Sequence, residues 1–147
     1  MDDSIIGAGM GRVTFPVERG KIREFATAIL DDNPLYLEEE TPPAPPTFTM
    51  TQQHWPSTFD EAPADLGINF AMVVHGEQEF EYLEPVHAGD VLTGETRVAD
   101  VYTKEGKRGG TLTFLVLETR FSNQHGKEAV VARATVIETS RPTTEES

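Results

Sequence analysis

Long stretches of alternating apolar and polar residues fill the C-terminal half of the chain. This period of two is typical of half-buried β-strands, and it begins near Asn69. Residues 90–102, 111–121 and 128–139 repeat it, and glycine-containing connections suited to hairpins separate them. The pattern predicts an antiparallel meander of four long strands. In the first of these strands, one face is predicted to carry Met72, Val74, Gly76, Gln78, Phe80 and Tyr82. The opposite face is predicted to carry His75, Glu77, Glu79 and Glu81.

A different period precedes the meander. After a first strand predicted at residues 12–17, apolar residues recur at helical spacing and form one stripe on a helix of about three turns. Asn33-Pro34 ends this helix, because the residue before a proline is pushed out of the helical region. The stripe consists of Ile22, Phe25, Ala26, Ile29 and Leu30.

A proline-rich extended segment leads to a second predicted helix from about Thr49. Thr49 and Gln52 form a capping box there, and Pro56 limits or kinks the helix. The predicted order is β, α, α, β, β, β, β, an α+β layout with helices on one face of an antiparallel sheet. The 147 residues fit a single domain, with residues 1–10 and 140–147 predicted to be loose.

Composition excludes several classes of protein. The chain has no cysteine, which rules out disulfide scaffolds, zinc ribbons and thiol nucleophiles. A net charge of −13 disfavours nucleic acids and anionic membranes, but it leaves room for a small anionic ligand. The longest apolar run, residues 70–74, is too short to span a bilayer, and the acidic N-terminus is unlike a secretory leader. We therefore expect a cytoplasmic protein.

The residues after the first helix resemble a family signature. Asp31-Asp32-Asn33-Pro34-Leu35-Tyr36 is similar to the Asp-x-Asn-Pro-Leu-His motif of MaoC-like, (R)-specific enoyl-CoA hydratases and their dehydratase relatives. Residues 44–48, 74–80 and 85–90 look like the N-terminal, FAS1-like dehydratase branch of that family. The resemblance implies a single hot-dog domain, in which a long antiparallel sheet wraps around a central helix.

The resemblance also implies a reaction. In the family, the motif Asp and His activate a water that adds to a trans-2-enoyl thioester, and backbone N–H groups polarise the carbonyl; the reverse reaction is dehydration. Asp31 and Tyr36 are the corresponding catalytic candidates, and Asn33 is a substrate-binding candidate. Tyrosine departs from the motif, because a phenol is a poor base where an imidazole titrates near neutral pH. The alternative is that Asp31 caps local backbone and Tyr36 is a buried aromatic residue.

Two further groups are candidates for substrate binding. The N–H groups of Thr47 and Phe48, where the second helix would begin, are predicted oxyanion contacts; the alternative is an ordinary capped helix. Lys104, Lys107 and Arg108 form a basic cluster that could hold the phosphates of coenzyme A, unless it is simply a solvated hairpin tip.

The four histidines have no paired spacing, so the sequence predicts no metal site. The resemblance implies no cofactor, with coenzyme A present only as part of the substrate. His75 shares its predicted strand face with glutamates, which indicates a surface or interface residue. Trp55 and Phe59 are predicted core residues.

Three functions follow from the resemblance, and hydro-lyase activity is favoured. The chain is an (R)-specific enoyl-CoA hydratase or 3-hydroxyacyl-thioester dehydratase, a non-catalytic acyl-binding subunit beside a MaoC-like chain with the full Asp/His pair, or an acyl-CoA thioesterase. A homodimer or heterodimer is implied, and the exposed edges of long strands support it. The acidic net charge favours coenzyme A over acyl carrier protein, since acyl carrier proteins are acidic too.

Overall fold

A five-stranded antiparallel sheet and a few short helices make up the part of the chain that the computed structural model describes, which is residues 3–57, 66–107 and 109–139. The 3₁₀ helices are Asp3–Ile5, Phe48–His54 and Phe70–Met72. The other elements are β1 Gly9–Pro16, α1 Arg19–Ala28, α2 Pro34–Leu37, β2 Val73–Tyr82, β3 Val91–Glu105, β4 Thr111–Ser122 and β5 Glu128–Glu138.

All five predicted strands are present, but the predicted meander is wrong in one pairing. The strand order is β1-β3-β4-β5-β2, so β3, β4 and β5 form a meander, while β2 pairs with β5. β3 is hydrogen-bonded to β1 on one side and to β4 on the other, so it has no free edge for β2. The segment after Tyr82 therefore crosses from one side of the sheet to the other, and β1 and β2 are the edge strands of the described sheet.

The helices pack on one face of this sheet, which we call the inner face. Ile22 and Ala26 of α1 are buried there, and the Phe25 ring meets Phe48 edge-on at 5.7 Å between centroids. On the sheet itself, Phe15 and Phe121 make a similar contact at 6.1 Å. Together with apolar residues of β3 and β5, these aromatic side chains form the main core.

The first predicted helix is shorter than the apolar stripe suggested. α1 ends at Ala28, and Leu30 has a left-handed backbone (φ +59°) and is 91% exposed. The Asp31 N–H donates to the Ala26 carbonyl across this turn, so Ile29 and Leu30 lie outside the core. Residues 3–10, predicted to be loose, are attached, because the Gly7 N–H donates to the Val98 carbonyl at 2.8 Å. Residues 1–2 and 140–147, also predicted to be loose, lie outside the described residues.

The second predicted helix is the 3₁₀ helix Phe48–His54, which we call the cavity helix. Its N-cap is Thr47, which makes no side-chain capping bond, so the predicted Thr49–Gln52 capping box is wrong. Thr49 is instead buried inside the helix. Trp55 is partly buried against the core, as predicted, and Phe59 lies outside the described residues.

The opposite, outer face carries a network of ion pairs. Arg133 donates to Glu118 at 2.8 Å and to Glu79 at 2.9 Å, and Arg120 donates to Glu118 at 2.7 Å. Strands β2, β4 and β5 contribute to this network. Glu79 and Glu81 of β2 therefore contact Arg133 as well as solvent.

Candidate functional site

A β-bulge in β2 turns His75 toward the inner face. His75 pairs with Val136 and Glu77 pairs with Thr135, so Gly76 is an extra residue on the edge strand. An ideal Cβ at Gly76 would lie 2.6 Å from Ile137 Cδ1, which explains why glycine occupies this position. On the N-terminal side of the bulge, the residues that face inward are therefore those that a regular strand would turn outward. The predicted placement of His75 beside the glutamates is therefore wrong.

His75 instead shares a face with Gln78, and its Nε2 lies 3.2 Å from Gln78 Oε1. Both side chains line a cavity of about 450 Å³ between the inner face of the sheet and the cavity helix. Its lining residues come from the cavity helix, from Ser57 shortly after it, and from strands β2 to β5. They are Thr49, Met50, Gln52, Gln53, Ser57, His75, Gln78, Thr96, Leu117, Thr119, Ala132, Ala134 and Val136.

The most buried part of the cavity wall is unusually polar. Thr49, Thr96 and Thr119 are 2%, 3% and 6% exposed. The hydroxyls of Thr96 and Thr119 bond each other at 2.7 Å. In contrast, Thr49 Oγ1 and Gln52 Oε1 are buried with no hydrogen-bond partner among the residues that the structure describes.

Sequence reasoning missed this wall, although a signal was present. Thr96 and Thr119 occupy inward positions in strands whose other inward residues are mostly apolar. A polar side chain at a core position requires an explanation, because its burial costs free energy unless a partner is found. The pairing of β3 with β4 supplies that partner for each of them.

The Asp31 motif performs local capping in the structure. The Asn33 N–H donates to Asp31 Oδ1 at 3.0 Å, and the Leu35 N–H donates to Asn33 Oδ1 at 3.0 Å. Asn33 is the N-cap of α2, and Pro34 is its first residue. This geometry matches the capping alternative for Asp31. Among the described residues, neither Asp31 nor Asn33 lines the cavity, and their catalytic and substrate-binding roles stay predictions.

Tyr36 is partly buried against the main core, as the aromatic alternative predicted. A second tyrosine, Tyr82, lies near Tyr36, and its hydroxyl donates to the Pro46 carbonyl at 2.8 Å. Burial, and to a smaller extent the Tyr36 phenol, raises the pKa of Tyr82 to about 12. Tyr82 thus fixes the proline segment that precedes the cavity helix.

The predicted oxyanion contact at Phe48 is not supported. Its N–H already donates to the Pro45 carbonyl at 2.9 Å, and its side chain is fully buried. An oxyanion could accept from this amide only by displacing that bond. Thr47, as the N-cap, remains a candidate by prediction alone.

The basic cluster lies on the β3–β4 hairpin. Lys104 Nζ lies 5.1 Å from the ring centroids of both Tyr102 and Phe114, which stack at 4.8 Å. Lys107 is exposed in the turn, and Arg108 lies outside the described residues. Neither lysine lines the cavity. A phosphate-binding role for the cluster stays a prediction.

The remaining histidines do not gather at one place. His54 and His125 are exposed, and His87 is partly buried beside a turn. Across the described ranges, no three His, Asp or Glu side chains lie close enough together to hold a metal ion.

Comparison with known proteins identifies the family. The family model described as "FAS1-like, dehydratase domain region" matches residues 4–132. The chain belongs to this family. A UPF0336 protein of Thermobifida fusca is 35% identical over 126 residues, which cover 80% of each chain.

Solved structures in this hot-dog group superpose well on the FAS1-like chain. The C-terminally truncated HadBC complex of Mycobacterium tuberculosis, a 3R-hydroxyacyl-ACP dehydratase, matches with a TM-score of 0.69 at 27% identity, covering 93% of this chain and 98% of that chain. The R-hydratase PhaJ1 of Pseudomonas aeruginosa has a TM-score of 0.61 at 19% identity, covering 97% and 87%, and that similarity shows the fold alone. The α+β hot-dog fold and the MaoC-like resemblance predicted from the sequence are confirmed. In the described part of this chain, no helix has the length and apolar character needed to span a membrane.

Proposed function

We propose that this chain is the acyl-binding subunit of a heteromeric hot-dog hydratase or dehydratase that acts on trans-2-enoyl or 3-hydroxyacyl thioesters. The observation that carries the proposal is the state of the motif. Asp31 holds the Asn33 backbone, and Tyr36 stands where the family has its histidine. A second hot-dog chain then supplies the complete Asp/His pair.

The cavity supports an acyl-binding role. Its volume of about 450 Å³ falls in the range of small-molecule sites, roughly 300–1,000 Å³. Leu117, Ala132, Ala134 and Val136 give one wall an apolar surface that fits an alkyl chain. Holding the chain there would fix the thioester relative to the partner's acid and base, and such positioning lowers the barrier of the chemical step.

The edge strand β2 offers a place for the partner. Within the described sheet it pairs with β5 on one side only, so its other edge is a place where a neighbouring strand could bind. His75 and Gln78 on this strand also line the cavity. A partner along β2 would therefore lie beside the bound acyl chain. The relative HadBC is itself a complex, which agrees with this arrangement.

In the proposed reaction, the partner's base removes a proton from water while the oxygen bonds to C3 of the enoyl thioester. A proton is then delivered to C2, so that water is added without any other reactant. Dehydration runs through the same steps in reverse. This chain contributes the cavity that orients the acyl group, and the acidic net charge favours coenzyme A as the carrier.

The purified chain tests the proposal directly. Crotonyl-CoA and a longer enoyl-CoA are added to the chain alone, and loss of the conjugated double bond is followed in parallel with release of free thiol. We expect binding of the longer thioester by calorimetry and neither reaction. Hydration by the chain alone that collapses in Asp31→Asn would show a self-sufficient enzyme, and thiol release without hydration would show a thioesterase.

Replacing the unusual motif residue provides the second arm. Tyr36→His restores the family signature, and a gain of hydration in this variant would show that only the imidazole is missing from an otherwise competent site. We expect no gain, because Asp31 Oδ1 is bonded to backbone. Tyr102→His, on the outer face, is the matched control for introducing a histidine.

A further inference from the structure

The open edge of β2 is a place where the sheet can be extended by another strand. Within the described sheet, β2 pairs with β5 on one side only. From Glu77 to Tyr82 its register against β5 is regular, so the segment beyond the bulge presents a straight strand edge. Such an edge is a template for another chain, because its outward N–H and C=O groups have no ladder partner in the described sheet.

The outer face of this edge is acidic. It carries Glu77, Glu79 and Glu81 at alternate positions, and all three are exposed. Arg133 donates to Glu79 at 2.9 Å and to Glu81 at 3.3 Å. The same guanidinium donates to Glu118 at 2.8 Å. One cation therefore serves three carboxylates, and the edge keeps a surplus of negative charge.

β2 has no basic residue that could offset this surplus. Residues 24–96 contain no lysine or arginine, and they hold more than half of the acidic residues of the chain. β2 lies entirely within this stretch. The other edge strand of the described sheet, β1, carries Arg12 and no carboxylate. The two edges therefore differ in charge, and they suit different neighbouring strands.

A second copy of this chain fits the β2 edge poorly. In a continuous antiparallel sheet with all helices on one side, side chains of the same face lie opposite each other. If two copies of β2 paired about a two-fold axis at Glu79, this residue would face itself, and Glu77 would face Glu81 on both sides of the axis. An axis at residue 78 or 80 would also oppose glutamates. Like charges directly opposite each other destabilise a sheet.

From this geometry we infer that the β2 edge binds a different hot-dog chain, one whose own edge strand carries lysine or arginine at alternate positions of its outer face. The charges that disfavour a second copy attract such a strand, because cross-strand pairs of opposite charge stabilise a sheet. This inference rests on the proposed heteromeric function and names the chemistry by which the partner is recognised.

Variants of the full chain provide the probes. The reversed variant, E77K/E79K/E81K, presents the basic edge strand that we expect of the partner. The neutral variant, E77Q/E79Q/E81Q, keeps the side-chain size and removes the repulsion between two copies. The matched control, E38K/E39K/E40K, makes the same change in net charge at exposed glutamates that follow α2, away from the sheet.

Sedimentation velocity measures association at low and at high salt. We expect the reversed variant mixed with the wild type to form a dimer whose Kd is at least about tenfold lower than that of either chain alone. High salt should weaken the mixed dimer but not the self-association of the wild type, since screening removes attraction in the first and repulsion in the second. The neutral variant should self-associate more tightly than the wild type, so a reversed variant that fails to fold does not end the test.

Three results would overturn this inference. The wild type self-associates as tightly as the neutral variant, or the control pairs with the wild type as well as the reversed variant does, or neither mixture pairs and the glutamates only protect a free edge. Each of them leaves the acyl-binding function standing, because thioester binding is measured separately by calorimetry. Charge-dependent pairing without thioester binding would instead contradict the proposed function alone.

Discussion

The hydroxyl of Tyr82, at the end of β2, donates a 2.8 Å hydrogen bond to the carbonyl oxygen of Pro46. The bond joins the edge strand of the sheet to the segment that leads into the cavity helix. It links residues 36 positions apart in the chain. The position of the cavity helix therefore depends on an edge strand that we propose as the partner's binding site.

We predict that ionisation of the Tyr82 phenol lowers the free energy of unfolding at alkaline pH. The folded state keeps the Tyr82 proton to a pKa of about 12, whereas an unfolded tyrosine releases it at about 10. Between these values the unfolded state binds fewer protons, so the free energy of unfolding falls as pH rises. Urea unfolding measures this effect near pH 9 and near pH 11. The free energy of unfolding should fall less between these values in Tyr82→Phe than in the wild type, because the variant lacks the titrating phenol.

The Tyr82→Phe variant should also lose about 1 kcal/mol at neutral pH, because the Pro46 bond is absent. Tyr102→Phe keeps its ring stack with Phe114 and serves as the control, with the alkaline drop retained. Equal alkaline drops in the wild type and Tyr82→Phe would contradict the assignment.

Two threonines two residues apart on the cavity helix should respond in opposite directions to the same substitution. Thr49→Val removes a buried hydroxyl that has no partner in the described part of the chain, so the free energy of unfolding should rise by about 1 kcal/mol. Thr51→Val removes a hydroxyl that donates to the Phe48 carbonyl at 2.8 Å, so here the free energy of unfolding should fall by about 1 kcal/mol. Both changes conserve shape, and urea denaturation measures both. Destabilisation of equal size at the two sites would show that Thr49 has a partner.

Gly94 should tolerate no side chain. An ideal Cβ at Gly94 would lie 2.6 Å from Phe121 Cε1, and that ring is fully buried against Phe15. Gly94→Ala should therefore lower the free energy of unfolding by about 1–3 kcal/mol through overpacking.

Gly20, in α1, has open space around its ideal Cβ and provides the control. Gly20→Ala should be neutral or stabilising by up to about 1 kcal/mol, since alanine restricts the unfolded chain. Thermal unfolding of the two variants checks the pair, and a neutral Gly94→Ala would show that Phe121 can move aside.

The outer face should make stability sensitive to acid. Burial opposes the charged form of Glu118, but hydrogen bonds from Arg133 and Arg120 outweigh it and lower the pKa of this carboxyl. A depressed pKa stabilises the fold above the unfolded value, and the contribution is lost as pH falls through the folded value. Glu118→Gln should cost about 1 kcal/mol at neutral pH and flatten the acid decline of stability. Glu77→Gln, exposed on the same face, should leave that decline unchanged.

Much of the fold follows from local patterns in the sequence. Alternation along residues 111–121 depends only on which side chains face the core, so strands of this kind are visible without tertiary information. The same is true of the buried side of α1, where Ile22 and Ala26 recur at helical spacing. The Asp31 motif and its capping alternative were also readable, because both involve residues close together in the chain.

The tertiary structure decided what faces the cavity. β3 has neighbours on both edges, which sends β2 to the far side of the sheet, and no local pattern encodes that choice. Gly76 inside the strand pattern was a signal for a bulge, but only the register against β5 shows that His75 turns inward beside Gln78. The unpaired oxygens of Thr49 and Gln52 likewise exist only because distant strands enclose them. Periodicity identifies the elements because it depends on neighbours in the chain, whereas the cavity depends on contacts between residues far apart in the chain.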